Sequence, residues 1–518
     1  MASPSEKLAE SLDALKALQD QGIVAIRSRD LSRTHRERLL GSGFLQEVMK
    51  GWYIPAHPDE QAGDSTAWYA SFWDFCTAYL NARFGTEWCL SPEQSLFLHA
   101  GNFTVPGQLL VRTPKGGNKP INLPHGTSLF DVRASLPEPP ERQELQGLRV
   151  FSLPAALVRS GAAIFKDNAT EARTALAMVQ DASDVLTILL DGGHSIIAGR
   201  LAGAFRNIGR EKIAERIVND MTRATYKVRD IDPFDNPAPF SVSAHEPSPY
   251  VTRMRLMWHT MRDHIPDLFP AAPKTPVIFD AYMKRVEEIY VTDAYHSLSI
   301  EGYRMSAELI ERVRSGTWNP DNDEQDRENR NALAARGYYD AFQGVKQSVE
   351  RVLKGESPGT VAGNDHAEWY AQLFGPSVTA GILRPGDLAG YRNGPVYIRN
   401  SLHAPPSREA VRDMMPVLFE TLAEESEPAV RVVLGHFIFV YIHPYFDGNG
   451  RIGRFLMNVM LAADGYPWTV IPVERREDYM QSLEFASVNQ NIKPFTEFLS
   501  GLVKDNIEGK PGPRVPGT

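Results

Sequence analysis

The chain has 518 residues, a formal net charge of -9, 42% hydrophobic and 23% charged residues, so it is long enough for several domains and ordinary in composition for a globular protein. The acidic balance argues against a nonspecific nucleic-acid coat but permits a local basic site, and no uninterrupted apolar run reaches membrane-spanning length. Met1 to Glu6 lacks the basic-then-apolar pattern of a secretory signal, and two cysteines, Cys76 and Cys89, cannot build a disulfide or zinc framework; a cytoplasmic protein without membrane contact is expected.

Leu8, Leu12, Leu15 and Leu18 recur at helical spacing behind Ser3 or Ser5, which predicts an amphipathic helix ending at Gly22. Ile23 to Ile26 and Arg29-Asp30-Leu31 follow. Ser32 to Leu40 then reads as a short capped helix with a basic face, and Phe44 to Ile54, turning at Lys50-Gly51, as a hairpin. Helix, helix, basic helix and hairpin is the order of a winged helix-turn-helix over 1–56, in which one helix enters the DNA major groove. From Ile23 to Lys50 six Arg or Lys stand against three Asp or Glu, and Arg33, His35 and Arg36 are the DNA-binding candidates. Leu39-Leu40-Gly41-Ser42-Gly43-Phe44-Leu45 and Lys50-Gly51-Trp52-Tyr53 resemble the AbiEi-like antitoxin and transcriptional regulator families. That resemblance implies DNA binding, and because such regulators often act as dimers, a homodimer is one expectation.

Residues 57–230 mix a helix near Trp68 to Leu80, short strands near Leu109-Leu110-Val111 and Ser128 to Val132, and a helical stretch from 154 onward, with no chemistry assignable. His99, His125 and His194 lack ligand spacing. Asp230 to Pro239 is rich in proline and turn formers, so 231–250 reads as a linker into the second half, 251–508. Long helices are expected there, at Ile278 to Tyr290, Ala307 to Val313 and Arg330 to Leu353. Gly390-Tyr391-Arg392 leads into Val396-Tyr397-Ile398 and Ala404-Pro405-Pro406, alternating apolar residues that suggest a short hairpin.

The densest chemistry lies in His443-Pro444-Tyr445-Phe446-Asp447-Gly448-Asn449-Gly450-Arg451-Ile452-Gly453-Arg454, a polar loop between two apolar runs that read as buried helices. Gly448 and Gly450 let backbone amides approach a ligand, and a helix starting near Gly450 makes an anion site. Arg451 and Arg454, three apart, can grip separate oxygens of a polyphosphate. Asp447 offers a hard oxygen suited to Mg²⁺. His443 alone in the loop has a reference pKa near neutrality, which suits a general base. Singly, the arginines read better as surface salt-bridge partners and His443 as a helix cap; together the residues point to a phosphate site.

This loop resembles the signature of the Fic family, H-x-F-x-[DE]-G-N-G-R-x-x-R, with Tyr445 where phenylalanine is usual. The resemblance covers roughly 250–508. It implies a mainly α protein: an all-helical Fic core with a small β-hairpin flap, preceded here by the winged-helix domain and the mixed α+β region. It also implies transfer of AMP from ATP to a protein hydroxyl. By that resemblance His443 is the base, Asp447 holds Mg²⁺, Gly448, Asn449 and Gly450 form the anion hole, and Arg451 and Arg454 grip the outer phosphates. Val396, Tyr397 and Ile398 become the flap that aligns the target, and Tyr479, with Leu483 and Asn491, borders the adenine. Ser297-Leu298-Ser299-Ile300-Glu301-Gly302 resembles the family's inhibitory motif, [ST]-x-x-x-E-[GN]. Ser297, Glu301 and Gly302 would then act as a brake, with Glu301 pairing Arg454 in the place that the γ-phosphate needs. Open alternatives are a DNA-binding regulator whose Fic half senses nucleotide, transfer of another phosphate-containing group, and removal of AMP from a modified target.

Overall fold

The computed structural model describes residues 3–58, 64–241, 248–274, 277–318 and 330–516. They divide into two compact units, Met1–Arg253 with Tyr397–Ala404, and Met254–Val396 with Pro405–Thr518.

In the first unit, α1 (Pro4–Gln19) starts on a capping box between Ser3 and Glu6. Then come β1 (Ile26–Arg27), α2 (Arg33–Gly41), β2 (Leu45–Met49) and β3 (Trp52–Pro55), with the strands in antiparallel order β1-β3-β2. Leu15, Ile26, Leu31, Leu39, Leu45 and Tyr53 form their core. One helix fewer is present here than the sequence suggests. The β-branched run before Arg27 favours extended backbone, and Ile26 and Arg27 pair with Tyr53 and Trp52 instead.

Helix α3 (Thr66–Phe84) carries Trp68, Phe72 and Phe75 on a buried face, where Trp68 meets Phe72 and Phe75 edge to face at 5.6 and 5.2 Å. It packs with a sheet of β4 (Cys89–Leu90), β5 (Gln108–Thr113), β6 (Pro120–Asn122) and β7 (Ser128–Arg133), ordered β4-β5-β7-β6 with β5 and β7 parallel. Between β4 and β5 lies α4 (Pro92–His99), and the hairpin of β8 (Arg142–Leu145) and β9 (Leu148–Phe151) leads into the helices α5 (Leu153–Arg159) to α10 (Glu211–Arg223). Of the stretch read as a linker, 242–247 lies outside the described residues. Its start is fastened to the helices: Arg173 donates to the Asn236 carbonyl at 2.6 Å and its guanidinium lies over the Phe234 ring at 4.4 Å. Glu171, buried, accepts from Asn102 at 2.9 Å and pairs with buried Arg253 at 3.2 Å.

The second unit is helical. After α11 (Pro249–Arg262), whose first turns fall in the first unit, come α12 (Phe279–Ile300), α13 (Ala307–Arg314), α14 (Arg330–Leu353), α15 (Pro358–Thr379), α16 (Arg408–Glu424), α17 (Pro428–Ile442), α18 (Asn449–Ala463), α19 (Arg476–Asn489) and α20 (Lys493–Ile507). Tyr338 of α14 packs on Phe455 of α18 at 4.9 Å. Asp293 of α12, fully enclosed, accepts from Tyr338 Oη at 2.6 Å and from Trp468 Nε1 at 3.1 Å. Burial raises its carboxyl to about 6 despite those bonds.

The hairpin expected around Val396-Tyr397-Ile398 does not form: 391–406 holds no strand. Pro395, Pro405 and Pro406 remove ladder donors, and Asn400 turns the chain at φ 56°. Residues 397–404 are counted with the first unit.

Candidate active site

Apart from Arg431 and His436, helix α17 is apolar, and it is buried along almost its whole length, with no basic residue in its last turn. Its terminal carbonyls therefore need outside donors. Arg392, 2% exposed, supplies them: its guanidinium donates to the carbonyls of His443 at 2.8 Å and Ile442 at 3.4 Å, and also to those of Gly394 and Pro406. Its own N–H donates to the Pro444 carbonyl at 2.9 Å. The sequence reading missed this residue, although an apolar helix end followed by a polar loop was a signal that a buried cation had to come from elsewhere. Hydrogen bonds to a charged group contribute about 1.5–3 kcal/mol each, so Arg392→Met is expected to lower unfolding stability by at least about 2 kcal/mol in a denaturant titration.

His443 leaves the helix in the left-handed region, φ 53° and ψ 60°. Its Nδ1 lies 3.2 Å from the Val440 carbonyl, which assigns the proton to Nδ1 and leaves the Nε2 lone pair for another proton. Burial, with Arg392 adding to it, lowers the imidazole to about 4, so it is neutral at ordinary pH.

Gly448 makes the turn at φ 80°, and α18 begins at Asn449. The Asn449 amide closes the loop on the Tyr445 backbone, accepting its N–H at 2.9 Å and donating to its carbonyl at 2.8 Å. The Asn449 side chain is thus engaged in shaping the loop, and the free backbone N–H groups of the first turn face outward from the helix N-terminus.

Tyr445 stacks on Tyr370 at 3.8 Å and 7°. It is 1% exposed, and among the described residues its hydroxyl meets no hydrogen-bond partner. A buried unsatisfied hydroxyl costs about 1–3 kcal/mol. Tyr445→Phe is expected to leave the loop intact and raise stability by up to that amount, measured by thermal unfolding.

The two arginines are differently occupied. Arg454, 4% exposed, donates from Nε to Ser297 Oγ at 2.9 Å, and from Nη2 to the Ser297 carbonyl at 3.0 Å and Glu301 Oε1 at 2.7 Å. Burial opposes its charge, but Glu301 outweighs this and holds the guanidinium above its ordinary value. Glu301 follows the end of α12, and Gly302 turns the chain away at φ 86°. Gly450 makes room for this pair: a Cβ there would stand 2.5 Å from Glu301 Oε1. Arg451, 1% exposed, lies between the rings of Phe374 at 5.0 Å and Tyr303 at 5.5 Å. Its Nη2 is 3.1 Å from Asp447 Oδ1, close enough for ion pairing though not aligned as a hydrogen bond. Arg451 Nε and Nη2 and Arg454 Nη1 are buried and have no hydrogen-bond partner among the described residues. Open cationic donors of this kind, beside a helix N-terminus, form a site for a phosphate chain.

Within the second unit the fold therefore brings together His443, Asp447, Gly448, Asn449, Gly450, Arg451, Arg454, Ser297, Glu301 and Gly302. Tyr479 is buried, with its hydroxyl 2.7 Å from His436 Nε2. Val396 lies in the second unit, whereas Tyr397 and Ile398 lie in the first. Of the DNA-binding candidates, Arg33 is exposed and paired with Glu37 at 2.7 Å. His35 Nδ1 is 2.9 Å from Ser11 Oγ. Arg36 donates to the Ser28 carbonyl at 2.8 Å and lies over the Tyr53 ring at 5.6 Å.

Residues 365–461 match the model of the Fic/DOC family. Among curated proteins, the protein adenylyltransferase Fic of Nematostella vectensis is 28% identical over 238 residues, 44% of this chain and 50% of that protein. The protein adenylyltransferase Fic of Drosophila virilis is 27% identical over 234 residues, 44% of each. The chain spans about half the length of these relatives. Among solved structures, Fic-1 from C. elegans aligns at 19% identity and a TM-score of 0.37, covering 66% of this chain and 90% of that one.

Proposed function

We propose that the chain is a protein adenylyltransferase, transferring AMP from ATP to a hydroxyl of a protein target, and that Glu301 restrains it. The observation that carries this reading is the set of three buried guanidinium nitrogens on Arg451 and Arg454 that have no hydrogen-bond partner among the described residues, beside the neutral His443. The Fic/DOC match over the same loop supports it. In the reaction the target hydroxyl oxygen bonds to the α-phosphorus while the bond from that phosphorus to the β-bridging oxygen breaks. Pyrophosphate leaves with the bonding pair, and the hydroxyl proton passes to His443 Nε2. Backbone N–H groups of Asn449 to Arg451 and the two arginines stabilise the developing phosphate charge, the Gly448 N–H being donated to Asp447 Oδ1 at 2.6 Å.

Asp447 fits a role as partial magnesium ligand. Its carboxylate is 59% exposed, and Mg²⁺ commonly takes one or two carboxylates plus nucleotide phosphates. No group of three His, Cys, Asp or Glu suited to a metal occurs among the described residues, so the ion would be held jointly with the nucleotide and would neutralise phosphate charge. The brake is supported by the 2.7 Å contact of Glu301 with Arg454, because a guanidinium engaged there has fewer donors for a γ-phosphate. Transfer of radiolabel from [α-³²P]ATP tests the activity: label entering protein only when His443 and the nucleotide are both present supports it, and label absent from the Glu301→Gly protein counts against it.

For the N-terminal residues we propose binding of duplex DNA through α2, on the observation that Arg33 is 84% exposed and follows the helix cap Ser32. In a gel-shift titration with the upstream DNA of its own gene, Arg33→Ala is expected to weaken binding and reduce the salt slope by about one. Equal affinity of variant and parent would remove this role. No helix among the described residues is long and apolar enough to cross a membrane.

A further inference from the structure

One corner of the first unit gathers three arginines that lack a counter-charge. Cys89 on β4 stands opposite Arg112 on β5, and the Arg112 guanidinium lies 5.8 Å from the centre of the Phe151 ring. Phe151 is in turn the cross-strand partner of Arg142. Arg149, two residues before Phe151 and so on the same face of β9, lies over the Trp88 ring at 5.9 Å, beside Cys89 in the chain. Arg112, Arg142 and Arg149 therefore meet around Trp88, Cys89 and Phe151. Burial pushes the Cys89 thiol up to about 12, with all three arginines pulling the other way.

The acidic residues of the adjoining strands and turns are bound elsewhere or exposed. Glu141 pairs with Arg159 at 2.7 Å, Glu87 with Lys115, and Asp131 with Arg83 at 2.8 Å. Glu144, opposite Arg149 in the hairpin register, is exposed, and among the described residues none of the three arginines forms an ion pair. Arg112 Nε and Arg149 Nε are buried without a hydrogen-bond partner among the described residues, while Arg112 Nη2 donates to the Ser135 carbonyl at 3.3 Å. Guanidinium groups backed by aromatic rings and not neutralised by carboxylates favour an anion from outside the chain.

The face of β5 that carries Arg112 continues to Leu110 and Gln108. Leu110 is 38% exposed. The register sets it beside Phe130 of β7, which is partly exposed and lies outside the apolar clusters around Trp68 and Phe165. Gln108 donates to Ser128 at 3.3 Å, and Ser128 is the cross-strand partner of Asn122. From Gln108 to Arg133 four Arg or Lys stand against one acid, Asp131, a local surplus in an acidic chain. An aromatic and an aliphatic side chain beside amides and guanidinium groups match a single strand, whose bases stack while its phosphates pair with arginine. A duplex keeps its base faces covered, and a phosphorylated peptide would leave Phe130 and Leu110 without a use.

We propose that the sheet face bearing Phe130, Leu110 and Arg112, with Arg142 and Arg149 beside its edge strand β4, binds single-stranded nucleic acid. All of these residues lie in the first unit. The site is separate from α2 and needs neither duplex binding there nor adenylyl transfer.

Fluorescence anisotropy of the full chain tests this with a labelled RNA of about twelve nucleotides, the same sequence as single-stranded DNA, and its DNA duplex, at salt from about 50 to 200 mM. Single strands are expected to bind more tightly than the duplex. In Arg112→Gln/Arg142→Gln/Arg149→Gln the salt slope should fall by about two and the affinity by at least about tenfold. Phe130→Ala should weaken binding on the order of tenfold with the slope unchanged, and Arg33→Ala should leave it within about twofold. Arg142→Glu serves if the triple variant fails to fold, and alone should weaken binding about tenfold. The tighter of the RNA and DNA arms identifies the sugar that the face takes. Absence of single-strand binding at the lower salt, equal or tighter binding of the duplex or of a phosphoserine peptide, or affinity unchanged in Phe130→Ala or in the arginine variants overturns the proposal.

Discussion

Replacing Glu301 by glycine in the full chain is expected to raise AMP transfer from [α-³²P]ATP by on the order of 10²-fold, the size of effect that misplacement of a reacting group carries. The reasoning begins at Arg454. All three of its nitrogens are buried, and two are committed: Nε to Ser297, Nη2 to Ser297 and Glu301. Only Nη1 is open. An arginine clamps a phosphate best through two parallel donors, and that fork is incomplete while the Glu301 carboxylate occupies Nη2. The negative carboxylate also repels a triphosphate entering beside Gly450, where its Oε1 lies so close that even a methyl group would collide. Removing it restores the fork and the charge balance, while Ser297 still orients the guanidinium. Glycine at 301 loses no helix interior, since this position already follows the last residue of α12. Equal transfer by parent and variant would leave the Glu301 contact as a packing feature.

His443→Ala in the Glu301→Gly background is expected to cut transfer by about 10²–10⁴-fold, the usual contribution of a positioned general base. Nucleotide affinity should change little, because the phosphate-facing donors belong to Asn449 to Arg454. A variant with undiminished transfer would remove His443 from the chemistry. The pH dependence is specific as well. With burial holding the imidazole at about 4, the base is already free at neutral pH, so kcat/KM, which reports the free enzyme, should keep its value down through pH 6.5 and fall only toward pH 4. Glu301 nearby raises this imidazole, so its removal cannot move the acid limb upward. The stability consequence has a definite sign. Both His436 and His443 are lowered to about 4 in the folded protein, whereas in the unfolded chain they titrate near 6.5. The unfolded state therefore binds more protons in that window, and the stability contributed by neutral imidazoles, complete above pH 6.5, is lost as pH falls toward 4.

Much of the site was legible in the residues because its chemistry is local. His443, Asp447, Gly448 and the two arginines lie within one short loop, and the apolar runs on either side required helices that would hold it still. Helix α14 occupies Arg330–Leu353 as its periodicity predicts. What escaped depended on contacts distant in sequence. Arg392 reads as one basic residue in a polar stretch until the apolar α17 is seen to end without a cation of its own. Asn449 looks like an anion-hole group, but its amide is a strut for Tyr445. Val396 to Ile398 has the alternation of a strand, yet prolines surround it, and contacts of Arg399 and Asn400 with Asp64, Ser65 and Thr66 hold the following residues in another unit. In 1–56 the sequence order suggests one more helix where β-branched residues favour a strand, because two residues pairing with Trp52 and Tyr53 leave no periodic signal.

Intact and peptide mass spectrometry of the Glu301→Gly protein after incubation with ATP and Mg²⁺, beside the parent and Glu301→Gly/His443→Ala, tests the central claim most directly. A loop competent for adenylyl transfer but restrained through Arg454 predicts addition of one or more AMP groups on hydroxyl residues of the Glu301→Gly chain, little on the parent and none on the double variant. A Glu301→Gly chain that remains unmodified and transfers no nucleotide to proteins of a cell extract would contradict it, as would equal modification of all three.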